Sequence, residues 1–152
     1  AWNVVVTNPD MQTATLSGGF AIFFATTGYL VSSTFDTDYT DGNSFNSIMW
    51  KGNPGTGGIV KFQFGSSDCS NGASNYPACT IGSWSNPSSY IGPDGTPSSF
   101  YIATGSDAPV AIIGAHHNNK RYYRYKVRLD FNEIILGLTK PVVDEVTINW
   151  SL

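Results

Sequence analysis

The sequence predicts an all-β fold, a two-sheet antiparallel β-sandwich of jelly-roll type. Three observations carry that expectation. Apolar residues recur at every second position along most apolar runs. Turn-forming residues separate those runs. No segment combines a helical period with helix caps. The 152 residues fit one domain spanning positions 1–152. A chain of that length buries ~70% of its unfolded surface, so it needs no metal or dense disulfide framework to fold.

The elements follow in order. Trp2 to Thr7 reads as a first strand, and residues 13–25 as one or two more, broken at Gly18-Gly19. Tyr29, Val31, Ser33 and Phe35 alternate with Leu30, Ser32 and Thr34. Ile48 and Trp50 share one face of the next strand. Val60, Phe62 and Phe64 point inward, and Lys61 and Gln63 outward to water. Phe100 to Ala103 and Val110 to Ile113 are shorter candidates. In Tyr122 to Asp130, residues Tyr123, Tyr125, Val127 and Leu129 face the core, and Arg124, Lys126, Arg128 and Asp130 face water. The last strand follows Pro141, with Val146, Ile148 and Trp150 inward. Turns are expected at Asp41-Gly42, Asn53-Pro54-Gly55, Asn71-Gly72, Pro93-Asp94-Gly95 and Asn118-Asn119. Phe131 to Leu138 has room for one short helical turn.

Composition narrows the function classes. Charged residues make up 12% of the chain, about half the usual share. The net charge of −3 gives no global attraction to nucleic acid or anionic membrane. Five of the eight basic residues nonetheless lie between Lys120 and Arg128. No apolar run reaches the ~20 residues of a membrane span. Cys69 and Cys79 enclose a turn-rich stretch with no zinc-ligand spacing. They read as a disulfide formed in an oxidising, extracellular or cell-surface compartment, against two reduced thiols in a cytosolic loop.

From Gly28 onward a series of motifs stands in order: Gly28-Tyr-Leu-Val-Ser-Ser-Thr-Phe-Asp36, Phe45-Asn-Ser-Ile-Met-Trp50, Val60-Lys-Phe-Gln-Phe64, Gly92-Pro-Asp-Gly-Thr96, His117 to Val127 and Pro141 to Trp150. This series resembles the jelly-roll modules of bacterial secreted and cell-envelope proteins. It is especially similar to the globular parts of prepilin-like surface proteins of uncultivated small-genome bacteria. The resemblance implies a fold and a structural role, and carries no catalytic residue. Pilin-type proteins start with a long hydrophobic helix, which this chain lacks. As a filament subunit, it has either lost that helix or assembles in another way. Residues 1–27 lie outside the matched motifs and are rich in strand formers. They read either as an edge strand of their own sandwich or as a donor segment for a neighbouring subunit's sheet.

Several groups of residues suggest chemistry. Asp36, Asp38 and Asp41 form an oxygen cluster of the kind Ca²⁺ takes, against a solvated acidic turn. His116 and His117 read as a turn with one buried, hydrogen-bonded ring. No carboxylate pair, nucleophile motif or phosphate loop singles out an active site, and no enzymatic activity is expected. Trp84, Tyr90 and Tyr76 lie in Ser/Asn/Pro/Gly-rich loops. Exposed there, their rings suit stacking on sugar or anchoring a protein contact; otherwise they pack onto the sandwich. Arg124, Lys126 and Arg128 form an outward stripe. It suits an acidic glycan or an acidic patch on another copy, or it protects an exposed sheet edge. The reading is a non-catalytic extracellular structural or adhesive module, a filament subunit with copies of itself, cell-surface proteins or polysaccharide as partners. The alternative is a carbohydrate-binding module using loop aromatics.

Overall fold

Strands form where β-branched and aromatic residues alternate with small polar ones. The structure, a computed structural model, describes residues 2–7, 13–20, 27–39, 41–70, 90–131 and 139–152, with backbone pairing alone for 2–7 and 13–20. The strands are β1 (Trp2–Thr7), β2 (Thr13–Phe20), β3 (Thr27–Val31), β4 (Phe35–Asp36), β5 (Ser44–Asn53), β6 (Ile59–Ser67), β7 (Tyr101–Ile102), β8 (Val110–Ala111), β9 (Tyr122–Asp130) and β10 (Val142–Ser151). One 3-10 turn spans Gly114–His116.

Two antiparallel sheets pack face to face as the expected sandwich. One runs in the order β3-β9-β6-β7, with β4 also pairing β9, and the other in the order β10-β5-β8. From β4 onward the chain changes sheet at every connection except β6 to β7. The core between the sheets is built on Phe45, Ile48 and Trp50 of β5, Val60, Phe62 and Phe64 of β6, and Tyr123 and Val127 of β9. Each such buried side chain contributes roughly 1.5–3 kcal/mol. Phe45 meets Phe64 at 5.0 Å and Tyr123 at 5.4 Å, so β5 lies over β6 and β9. β1 and β2 pair with each other in a separate sheet and with neither face of the sandwich.

Bulges set the fine pattern. Ser47 pairs with Asn149 and Phe45 with Trp150, so Asn46 is an extra residue on β5. That insertion turns Phe45 inward although it stands three positions from Ile48. A second shift leaves Asp144 unpaired between Val143 and Glu145. Gly52, opposite Val143, has φ +146°, and a Cβ there would lie 2.1 Å from the Val142 carbonyl oxygen.

Four expectations change. The strand read across 29–35 is two, broken after Val31 although the N–H of Ser32 still donates to the Tyr125 carbonyl at 3.0 Å. Ser32 Oγ accepts from the Tyr125 N–H at 3.0 Å, and its carbonyl accepts from Arg124 Nε at 2.8 Å. β2 runs through Gly18-Gly19, absorbing them in a register shift against β1. Gln63 points outward as expected but is buried, because Nε2 donates to the carbonyls of Pro97 at 2.7 Å and Ser99 at 3.0 Å. The 92–99 loop therefore roofs that end of the outer face. Trp150 faces the core side yet stays 37% exposed. Residues 132–138, where a helical turn was expected, lie outside the described residues.

Candidate functional site

β9 is where the expected basic stripe lies, and its surroundings differ from the expected edge. It is paired on both sides, by β3 and β4 along one margin and by β6 along the other. Its backbone groups are used, so Arg124, Lys126 and Arg128 cannot be protecting an open edge. Sequence alone could not show this, since strand order depends on long-range pairing.

The register places Tyr29 beside Arg128 and Arg128 beside Lys61, in one row across three strands on the outer face. The Arg128 guanidinium lies 5.7 Å from the Tyr29 ring and 5.3 Å from the Phe100 ring. Lys126 Nζ lies 4.7 Å from the Tyr29 ring, and Lys61 Nζ 5.9 Å from the Phe100 ring. Asp130 closes the row, accepting from Arg128 Nε at 2.6 Å and pairing Lys61 Nζ at 2.7 Å. Partial burial raises the Asp130 pKa, but the bonds from Lys61 and Arg128 outweigh it and hold the carboxyl below its usual range. Among the described residues Lys126 has no carboxylate partner, and Tyr29 is 57% exposed. Tyr29, Phe100, Lys61 and Asp130 escaped the sequence reading. Their outward parity is legible; their adjacency is not.

A second feature is one flank of the sandwich. Ile113 N–H donates to Tyr101 Oη at 3.3 Å, which sets the β8 end of the small sheet over β7. β10 therefore lies over the opposite margin, the side of β3. Among the described residues neither β3 nor β10 has a strand on its outer side. Leu30 pairs with Val127, a buried core residue, yet is itself 58% exposed. Among the described residues five of the ten exposed large hydrophobics lie here: Leu30 and Phe35 along one sheet, and Val142, Trp150 and Leu152 along the other.

The other candidates fare differently. Tyr90 is 2% exposed, so it offers no stacking face. The adjacent Ile91 bridges Phe64 through paired backbone hydrogen bonds of 3.0 and 3.1 Å, which draws the segment onto β6. Burial raises the Tyr90 pKa, and its hydroxyl has no partner among the described residues. Trp84 and Tyr76 lie outside the described residues. Cys69 is buried and is not a free thiol. Cys79, its expected partner, lies outside the described residues.

Asp36 and Asp38 are organised by a cation, Arg121, and among the described residues Asp41 does not join that pairing. Arg121 donates to both Asp36 oxygens at 2.7 and 2.8 Å, and to Asp38 at 3.2 Å. The hydrogen bond from Arg121 holds the Asp36 carboxyl below its usual value. Among the described residues no three His, Cys, Asp or Glu side chains are grouped to hold a metal ion.

His117 is buried, with its ring edge-on to Phe64 at 5.0 Å and Nδ1 3.0 Å from Ser66 Oγ. His116, in the 3-10 turn, is exposed. Among the described residues His117 Nε2 has no partner, so the neutral ring with Nδ1–H donating to Ser66 is the tautomer that leaves no orphaned N–H. Burial, helped by His116 nearby, lowers the His117 pKa to about 4. Among the described residues no helix is long and apolar enough to cross a membrane. No family model, curated protein or solved structure matches this chain.

Proposed function

We propose that the chain is a non-catalytic extracellular structural or adhesive module, a subunit of a cell-surface filament that assembles through its sheet margins. The open β3/β10 flank carries this reading. There an apolar side chain on the core side of its sheet, Leu30, is left exposed beside two strands that have no outer neighbour among the described residues. Unpaired N–H and C=O rows flanked by apolar side chains are templates for pairing with another chain. The resemblance to prepilin-like surface modules points the same way. A Cys69–Cys79 disulfide, with Cys69 buried and not free, supports an oxidising compartment.

The test is the oligomeric state. Sedimentation velocity over a wide concentration range is expected to show assembly of the wild-type protein. Leu30→Lys, which puts a charge on the open flank, is expected to suppress it. A wild-type protein that stays monomeric throughout overturns the reading. Carbohydrate binding through loop aromatics loses one of its three residues, because Tyr90 is buried.

A further inference from the structure

We infer that the outer face of the five-stranded sheet, around Tyr29, Lys126 and Arg128, is a binding site for an acidic polysaccharide. This face is not the assembly flank. Tyr29 and Val31 project on the side of β3 opposite to Leu30, so the inference does not rest on filament formation.

Charge is the first reason. Lys61, Arg124, Lys126 and Arg128 share this face of β6 and β9, and Asp130 is the one carboxylate in their row. The chain as a whole is −3, and four of its eight Lys and Arg residues share this face. Arg128 and Lys61 are already paired to Asp130, and Lys126 has no carboxylate partner among the described residues. A ligand carboxylate would restore that balance.

Shape and chemistry are the second. An exposed aromatic ring beside an ammonium group offers two things a uronic acid residue needs. The ring receives the C–H face of the sugar, and the ammonium receives its carboxylate. Lys126 Nζ lies over the Tyr29 ring, 4.7 Å from its centroid, and Tyr29 is still 57% exposed, which leaves ring surface open to a sugar next to the ammonium. Arg128, held between the Tyr29 and Phe100 rings and by Asp130, is fixed before any ligand arrives, so ordering it costs little on binding. The stripe along β9 repeats every second residue, ~7 Å apart, on a flat sheet. A flat row of cations suits an extended polyanion better than a small molecule, which takes a concave pocket. A nucleic acid is disfavoured because a net-negative protein repels so dense a charge beyond the few contacts of one row.

The experiment is affinity electrophoresis and calorimetry with polygalacturonate at low ionic strength, with dextran as the neutral control. Wild type is expected to be retarded by polygalacturonate and not by dextran, with binding weakened by added salt. Tyr29→Ala and Lys126→Ala are each expected to weaken binding roughly tenfold. Tyr29→Phe keeps the ring and is expected to retain affinity. Lys126→Gln keeps a polar side chain only one atom shorter and is expected to lose it, which separates charge from packing. Lys51→Ala, on the other sheet, and Leu30→Lys, on the flank, are expected to bind as wild type does. The inference is overturned by any of four results: no retardation in polygalacturonate or hyaluronate, equal retardation in dextran, unchanged binding in the Tyr29→Ala/Lys126→Ala double variant, or preference for single-stranded DNA. Salt-sensitive self-association that Lys126→Ala abolishes without saccharide would instead assign the face to a neighbouring copy, and would equally overturn it.

Discussion

His117 makes the stability of this fold depend on pH in a defined window. The perturbation is His117→Gln, read against wild type from pH 7.5 to pH 5. In the folded chain the ring is 2% exposed, Nδ1 is committed to Ser66, and a proton on Nε2 would have no acceptor. Its pKa is lowered to about 4, against about 6.5 in an unfolded chain. Between those values the unfolded state binds the additional proton, so stability falls as pH falls. Integrating the linkage gives a loss of about 2 kcal/mol between pH 7.5 and pH 5, and about 3 kcal/mol by pH 3.5.

The lowered carboxylates, Asp36, Asp130 and Glu145, act in the same direction but lower down. Their stabilisation is complete above their unfolded values and fades as pH drops through the range of the folded ones. The pH 5 to 7.5 interval therefore isolates the histidine. Urea unfolding at each pH is the assay, with the midpoint converted through a shared slope. Wild type should lose about 2 kcal/mol across the interval. His117→Gln should start less stable but stay nearly level. A variant with the wild-type pH dependence, or a wild type that is level, would refute the account of the buried ring.

Other outcomes follow from the packing. Trp50→Ala should cost about 3–5 kcal/mol by urea unfolding, because the ring is fully buried between the sheets. Gly42→Ala should destabilise by more than 1 kcal/mol, roughly the scale of a strained turn, since φ is +84° and a Cβ would lie 2.3 Å from the Asn119 carbonyl carbon. Its unfolding midpoint checks this. Thiol titration of the denatured protein should find no free thiol before reduction and two after it; two at the outset would remove the proposed Cys69–Cys79 bridge. Reducing that bridge should lower stability by roughly 2–3 kcal/mol.

Alternation made most of the fold legible. β9 runs from Tyr122 to Asp130 as read from its apolar–basic alternation, and β6 and β5 bury the residues their patterns indicate. Local periodicity failed where a distant partner decided the outcome. Ser32 looks like one more strand residue until Arg124 and Tyr125 claim its polar groups. Tyr90 reads as an exposed loop ring because the sequence cannot show that Ile91 will bridge Phe64. Gln63 has the right parity, but its cover comes from a loop more than thirty residues away. The Tyr29–Arg128–Phe100 row has the same origin. Each side chain can be placed on an outer face from sequence, and only the register of β3, β9 and β6 makes them neighbours.

The placement of charge argues most strongly for a partner. Edge strands that must stay alone carry lysines, prolines or inward-pointing charges. Here the outward cations sit on β9, which is paired on both sides and has no edge to defend. Among the described residues β3, which has no strand on its outer side, reads Thr-Gly-Tyr-Leu-Val with no charge at all. β10 confines its charges to Asp144 and Glu145 at a bulge, leaving Val146 to Trp150 uncharged. A margin built in this way would pair with other chains in solution. On the proposed reading this margin serves assembly, so Leu30→Lys should make the protein more soluble and monomeric while leaving its unfolding midpoint close to that of the wild-type monomer. A large loss of stability in that variant would mean Leu30 is covered within its own chain, and the flank would no longer be a place for assembly.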